Sequence, residues 1–100
     1  MSEVIRDGEE TTIIPEGDIV ADEVNQLQKI VTEQQENCRM MTIDFKNVTI
    51  IDSSGIAVLI GVQNNLSANN GILKIINVND DIYMMFEIMR LSQHFSITKA

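Results

Sequence analysis

Ile50-Ile51-Asp52-Ser53-Ser54-Gly55-Ile56-Ala57-Val58-Leu59-Ile60-Gly61 changes character in its middle. An extended apolar pair runs into small polar residues, and an apolar helix follows from about Ser54 to Asn69. At a helix start, the side chain of Asp or Ser accepts backbone N–H groups that have no partner within the helix. Asp52 or Ser53 therefore fits the N-cap, although no Glu or Gln follows three residues later to close a capping box. Asn69-Asn70-Gly71 ends the helix, because Asn and Gly tolerate the left-handed backbone of a helix stop. Ile56, Leu59, Ile60 and Leu66 recur at helical spacing and are expected in the core. Val58 and Val62 share another face and are expected as exposed apolar contact residues. Gly55 fits a close approach of backbone to a neighbouring helix or a partner.

On either side of this stretch the hydrophobic period alternates between that of strands and that of helices. Thr11 to Ile14 is β-branched and Pro15 cuts it off, which reads as a strand followed by a turn at Pro15 to Asp18. From Ile19 to Glu36, Val20, Val24, Leu27, Ile30 and Val31 recur at steps of three and four, predicting an amphipathic helix with acids in its first turn. Met40 to Phe45 predicts a strand and Asn47 to Ile51 a turn with a brief extended run. Ile72 to Ile76 predicts a buried strand. Asn77 to Asp81 is a polar helix start, leading to a stripe of Ile82, Met85, Phe86 and Met89. Phe95 to Ile97 fits a last short strand. Met84 and Met85 suit a core filler and an adaptable interface equally well. Residues 1–10 read as a loosely ordered tail or an edge strand. The alternation of strand and helix predicts one α/β domain over residues 1–100, with a mixed, mostly parallel sheet of four to five strands and helices mainly on one face.

Composition narrows the function classes. A chain of 100 residues with 44% hydrophobic content has room for one core. Cys38 is the single cysteine, so no internal disulfide forms. With no recognisable signal segment at the start of this sequence, that favours a reducing cytoplasm. The apolar run Ile56 to Val62 is too short to cross a bilayer, so no membrane insertion is expected. Seven Lys and Arg against fifteen Asp and Glu leave a net charge of −8. Without a basic cluster to displace phosphate counterions, a nucleic-acid partner is not expected. His94 is the lone histidine and has no visible triad partner. Neither a metal-ligand spacing nor a glycine-rich phosphate loop is present. The sequence therefore predicts no catalytic residues, no metal and no cofactor.

Asp52-Ser53-Ser54-Gly55, followed by Ile-Ala-Val-Leu-Ile-Gly, resembles the signature of STAS domains, the family of bacterial anti-sigma factor antagonists. The resemblance covers roughly residues 10–97 and includes the Gly17-Asp18-Ile19 start of the first helix and the Asn-Gly turn into a later strand. It implies that Ser53, the first serine after the aspartate, is a phosphorylation site. It further implies a partner that is both anti-sigma factor and serine kinase, a GHKL-type ATPase, which the unmodified domain binds and the phosphorylated domain releases. A PP2C-type phosphatase would reset the switch. Asp18, Asp52, Ser53, Ser54, Gly55, Val58 and Val62 are the expected partner-binding and switch residues, with Ser54 a structural residue or second target. The sequence departs from the family pattern in one place: relatives often carry a polar or acidic residue two or three positions after the glycine that precedes the first helix, whereas here Gly17 is followed by Asp18, then Ile19 and Val20, which leaves Asp18 to take that role. For Asp52 two readings stand side by side: it caps the helix, or it orients the Ser53 hydroxyl. The alternatives are a non-switching STAS interaction domain of a signalling or lipid-transport assembly, with Ser53 only a cap, and a small-molecule or nucleotide-binding domain.

Overall fold

A computed structural model describes residues 2–100. The chain runs β1 (Ser2–Asp7), β2 (Glu10–Pro15), α1 (Ala21–Gln35), β3 (Met40–Asp44), α2 (Ser53–Ala68), β4 (Ile72–Val78), α3 (Asp80–Ile88), a single 3-10 turn (Leu91–Gln93) and β5 (Ser96–Lys99). The five strands lie side by side in chain order, β1-β2-β3-β4-β5. Only the β1–β2 hairpin is antiparallel. Its turn uses Gly8 at φ 64°, where an L side chain is strained. The other three pairings are parallel, each joined by a helical crossover. The amino-terminal segment that read as a tail or an edge strand is strand β1.

Register explains which face is covered. Thr11, Met41 and Leu73 lie in one row, and Ile13, Ile43, Ile75 and Ile97 in the next. Apart from half-buried Ile97, all of these are buried, under Val24, Leu27 and Val31 of α1, Ile56, Leu59, Val62 and Leu66 of α2, and Ile82 and Phe86 of α3. The neighbouring row, Ile5, Thr12, Thr42, Lys74 and Ser96, is half-buried to exposed. One face of the sheet therefore carries all the helices, as successive right-handed crossovers in the same direction require. Phe86 anchors α3 by edge-to-face packing against Phe45 and Phe95, with ring centroids 6.2 and 6.4 Å apart.

Element boundaries differ from the sequence reading in two informative places. The first helix starts at Ala21 rather than Ile19, because Ile19 is committed to a parallel bridge with Ile51 and cannot also be helical. The second helix starts at Ser53, one residue before expectation, because Asp52 takes the cap.

Candidate functional site

Two loops meet beyond the carboxyl ends of the parallel strands. Residues 16–20 lead from β2 into α1, and residues 45–52 lead from β3 into α2. Both must turn sharply and both leave backbone groups without regular partners, so they pair with each other. The Ile19 N–H donates to the Ile50 carbonyl at 3.0 Å, and the Asp52 N–H donates to the Ile19 carbonyl at 3.1 Å. This is one rung of parallel sheet outside the main sheet.

Two carboxylates then cross between the loops in opposite directions. Asp18 Oδ1, from the first loop, accepts from the Thr49 N–H at 2.9 Å, the Thr49 hydroxyl at 2.7 Å and the Ile50 N–H at 3.0 Å. Asp52, from the second loop, accepts from the Ala21 N–H at 3.0 Å through Oδ2. Ala21 opens α1, whose own N-cap residue, Val20, has no side-chain acceptor to offer. The other Asp52 oxygen accepts from the Gly55 N–H at 3.1 Å and the Ser54 hydroxyl at 2.6 Å. One carboxylate thus serves the starts of two helices. Hydrogen bonds to the ionised form hold both acids below the ordinary carboxylate range. For Asp18 the Thr49 hydroxyl contributes most, followed by the Thr49 and Ile50 N–H groups. For Asp52 the Ser54 hydroxyl contributes most, followed by the Gly55 N–H.

Gly55 closes the unit. A β-carbon there would lie 2.7 Å from Ile19 Cγ2, 2.8 Å from Ile51 Cγ1 and 2.9 Å from the Ile19 carbonyl oxygen. The first turn of α2 therefore rests directly on the bridge between the loops.

On this fixed platform the two serines differ. Ser54 is exposed, but its hydroxyl is held by Asp52. Ser53, the first residue of α2, is exposed, and its hydroxyl has no hydrogen-bond partner among the described residues. Asp52 caps α2 and orients the Ser54 hydroxyl, not that of Ser53 as one sequence reading had it.

The sequence placed Asp18, Asp52, Ser53, Ser54 and Gly55 at one site, and the fold brings these five together. Val58 and Val62 require a correction: they are buried at 6% and 1% exposure and are core residues, not exposed contacts. The helix packs against the sheet on one side and α1 on another, so its buried arc is wide enough to include them. The outward arc instead carries Ser53, Ser54, Ala57 and Asn64, with half-buried Gly61. Sequence reasoning missed Thr49, Ile19 and Ile51. The available signal was an Asp beside an Ile at both helix starts, Asp18-Ile19 and Ile51-Asp52, which lets the two loops pair reciprocally. No group of three His, Cys, Asp or Glu among the described residues is arranged to hold a metal. No described helix is long and apolar enough to cross a membrane.

The STAS domain family profile matches residues 3–100. The chain belongs to the STAS domain family. Among curated proteins, this STAS chain is 30% identical over 78 residues to the anti-sigma-B factor antagonist of Staphylococcus aureus, covering 77% of this chain and 72% of that protein. It is anti-sigma factor antagonist-like at that level. Among solved structures, an anti-sigma factor antagonist from Mycobacterium paratuberculosis superposes with a TM-score of 0.87 at 14% identity, over 100% of this chain and 86% of that one. The Bacillus cell fate determinant SpoIIAA in its phosphorylated form superposes with a TM-score of 0.78 at 18% identity, over 97% of this chain and 90% of that one. At these identities the two structures speak for the STAS fold alone.

Proposed function

We propose that this STAS protein is a partner-switching anti-sigma factor antagonist whose switch is Ser53. The observation that carries the reading is the free, exposed Ser53 hydroxyl on a platform that Asp18, Asp52 and Gly55 hold in place. Likeness to an anti-sigma-B factor antagonist, and the shared fold of a protein solved in a phosphorylated form, support it. The unmodified chain binds an anti-sigma factor that is itself a GHKL-type serine kinase. Phosphorylation at Ser53 releases that partner, and a PP2C-type phosphatase resets the surface. The domain works by binding and is not an enzyme.

A phosphoryl group adds about −1.5 to −2 charges at neutral pH. At the first residue of α2 it meets free N–H groups and the positive end of the helix dipole, so the fold tolerates it. A partner packed over Ser53 does not, because it must bury a dianion beside the Asp52 carboxylate without a matching cation. Each ~1.4 kcal/mol of that penalty weakens binding about tenfold, so release needs no refolding.

Intact-mass analysis with site mapping, on the protein from its native cells, tests the modification. One phosphate on Ser53 is expected. Affinity measurement against the anti-sigma factor captured by the unmodified form tests the switch. Ser53→Asp is expected to weaken binding at least about tenfold, while Ser53→Ala binds as the parent does. Absence of phosphate under every growth condition, with equal binding by both variants, would sink the reading in favour of a constitutive STAS interaction domain.

A further inference from the structure

Seven large hydrophobic side chains are exposed among the described residues, and four of them are Ile50, at 57%, and Met84, Ile88 and Met89 of the α3 region, at 63%, 76% and 46%. Half-buried Met85 shares a groove with Ile50 and stands next to the exposed side chains of α3. Met84 and Ile88 are one turn apart, as are Met85 and Met89, so two apolar rows run along α3: Met85 and Met89 beside the core-facing Ile82 and Phe86, and Met84 and Ile88 facing outward next to them. Between Ile50 and the start of these rows lies an open groove of about 240 Å³, lined by Thr49, Ile50, Ile51, Asp81, Ile82 and Met85. The groove has an apolar floor and a flexible methionine wall, which suits an inserted side chain of variable shape.

Charge selects the occupant. Asp80, Asp81 and Glu87 are all exposed along the same helix. Lys99, which pairs with Asp80 at 3.4 Å, also sits over the Tyr83 ring, on the flank away from the groove. Arg90 follows only after the helix has ended. A second copy would bring the same carboxylates face to face in an isologous contact, which like charge disfavours. An anionic lipid surface is disfavoured by the same carboxylates and by the net charge of −8. We infer that the Ile50–α3 groove docks a basic amphipathic helix of a protein partner: its apolar side chains lie on Met84, Met85, Ile88 and Met89, and its Lys or Arg residues meet Asp81, the carboxylate that lines the groove. The apolar rows supply the ridge-and-groove surface that helix docking uses. This surface does not include the Ser53 side chain, although it shares the loop of Thr49, Ile50 and Ile51 with the platform beneath it.

The test uses the full chain and a synthetic peptide of about 18 residues, four to five helical turns, with leucines at i, i+3, i+4 and i+7 spacing and lysines elsewhere. Methyl-resolved NMR is expected to show saturable shifts at Ile50, Met84, Met85, Ile88 and Met89, with a Kd on the order of micromolar. Met84→Glu and Ile88→Glu change exposed residues, keep the parent Tm, and are expected to weaken binding at least about tenfold. The same pattern built with glutamates in place of lysines is expected not to bind. Shifts centred on Ile5 and Ile72 of the open sheet face, equal binding by the glutamate peptide, or no saturable shift each overturn the inference. So does a concentration-dependent dimer, seen by sedimentation, that Ile88→Glu abolishes, since the occupant is then a second copy.

Discussion

Helices α1 and α2 lie side by side on the same face of the sheet, yet their starts are capped in opposite ways. The second carries its own punctuation: Asp52 caps its start, and Asn69, Asn70 and Gly71 turn the chain back at its end, where the Gly71 N–H donates to the Leu66 carbonyl at 2.6 Å. The first lacks a cap of its own at the start, although left-handed Asn37, at φ 59°, turns the chain at its end and the Cys38 N–H donates to the Gln35 carbonyl at 3.2 Å. Its N-cap position is Val20, and the acceptor for its opening N–H is Asp52, 31 residues away in sequence. At its other end Arg6, in β1, donates to the carbonyls of Gln34 at 3.0 Å, Glu36 at 3.2 Å and Asn37 at 2.9 Å. That guanidinium supplies the cation that the helix dipole favours at a C-terminus and that the last turn itself lacks. A helix capped by its own neighbours keeps its start whatever the other loop does. A helix whose opening N–H is capped from another loop reports on whether the two loops are assembled.

The sharpest way to break this contrast is Gly55→Ala. The new β-carbon collides with backbone as well as side chain at Ile19, so α2 must move off the bridge at a cost of about 1–3 kcal/mol. Urea denaturation at neutral pH is expected to show that loss, and protection of the Ala21 amide in hydrogen exchange is expected to fall with it. Arg6→Ala comes next, at about 1–2 kcal/mol, because several charged hydrogen bonds to α1 carbonyls disappear together. Increased exchange confined to the last turn of α1, with α2 unchanged, is the expected pattern. If both helices loosen equally, the contrast is wrong.

Acid titration probes the carboxylates that tie the two helix starts together. The native carboxyls of Asp18 and Asp52 titrate below their unfolded value of about 4. Their stabilisation is therefore present above that value and drains as pH falls through their native values. Melting curves from pH 7 to pH 3 are expected to show this decline. Asp52→Asn keeps an acceptor for the Gly55 N–H, loses the second acceptor at Ala21, and flattens the acid limb of the curve. An unchanged acid limb in that variant would place the effect elsewhere. The smallest effect sharpens the comparison from the other side. Gly61 lies in mid-helix with open space where a β-carbon would be, so Gly61→Ala is expected to stabilise by about 0.5–1 kcal/mol and leave the platform untouched. Two glycines six residues apart in α2 then shift stability in opposite directions.

Much of the STAS fold was legible because period and punctuation are local. The β-branched run ending at Pro15, the Asn-Gly turn before Ile72 and the acids before Ile82 each mark an element boundary within a few residues. The residues of the candidate site were legible as a cluster around Asp52 and Ser53 for the same reason. What could not be read was how much of α2 is buried. The wide apolar arc of Ile56, Val58, Leu59 and Val62 is compatible with an exposed contact surface or with a helix wedged between sheet and neighbour. Periodicity reports which side chains share a face, not how many faces are covered.

The sequence by itself determined the strand and helix order from β2 onward, the apolar faces, the stop after α2 and the small polar helix start that carries Ser53, because each depends on residues within about one helical turn of one another. Only the tertiary structure decided which serine is free and which is held, and that Asp52 opens two helices. It also decided that Asp18 stitches the loop that leads to Ser53 and that Arg6 bonds the last carbonyls of α1. Apart from the local Ser54–Asp52 bond, these facts rest on donors and acceptors from different elements meeting at about 3 Å, a requirement set by hydrogen-bond geometry and met only once the fold brings those elements together.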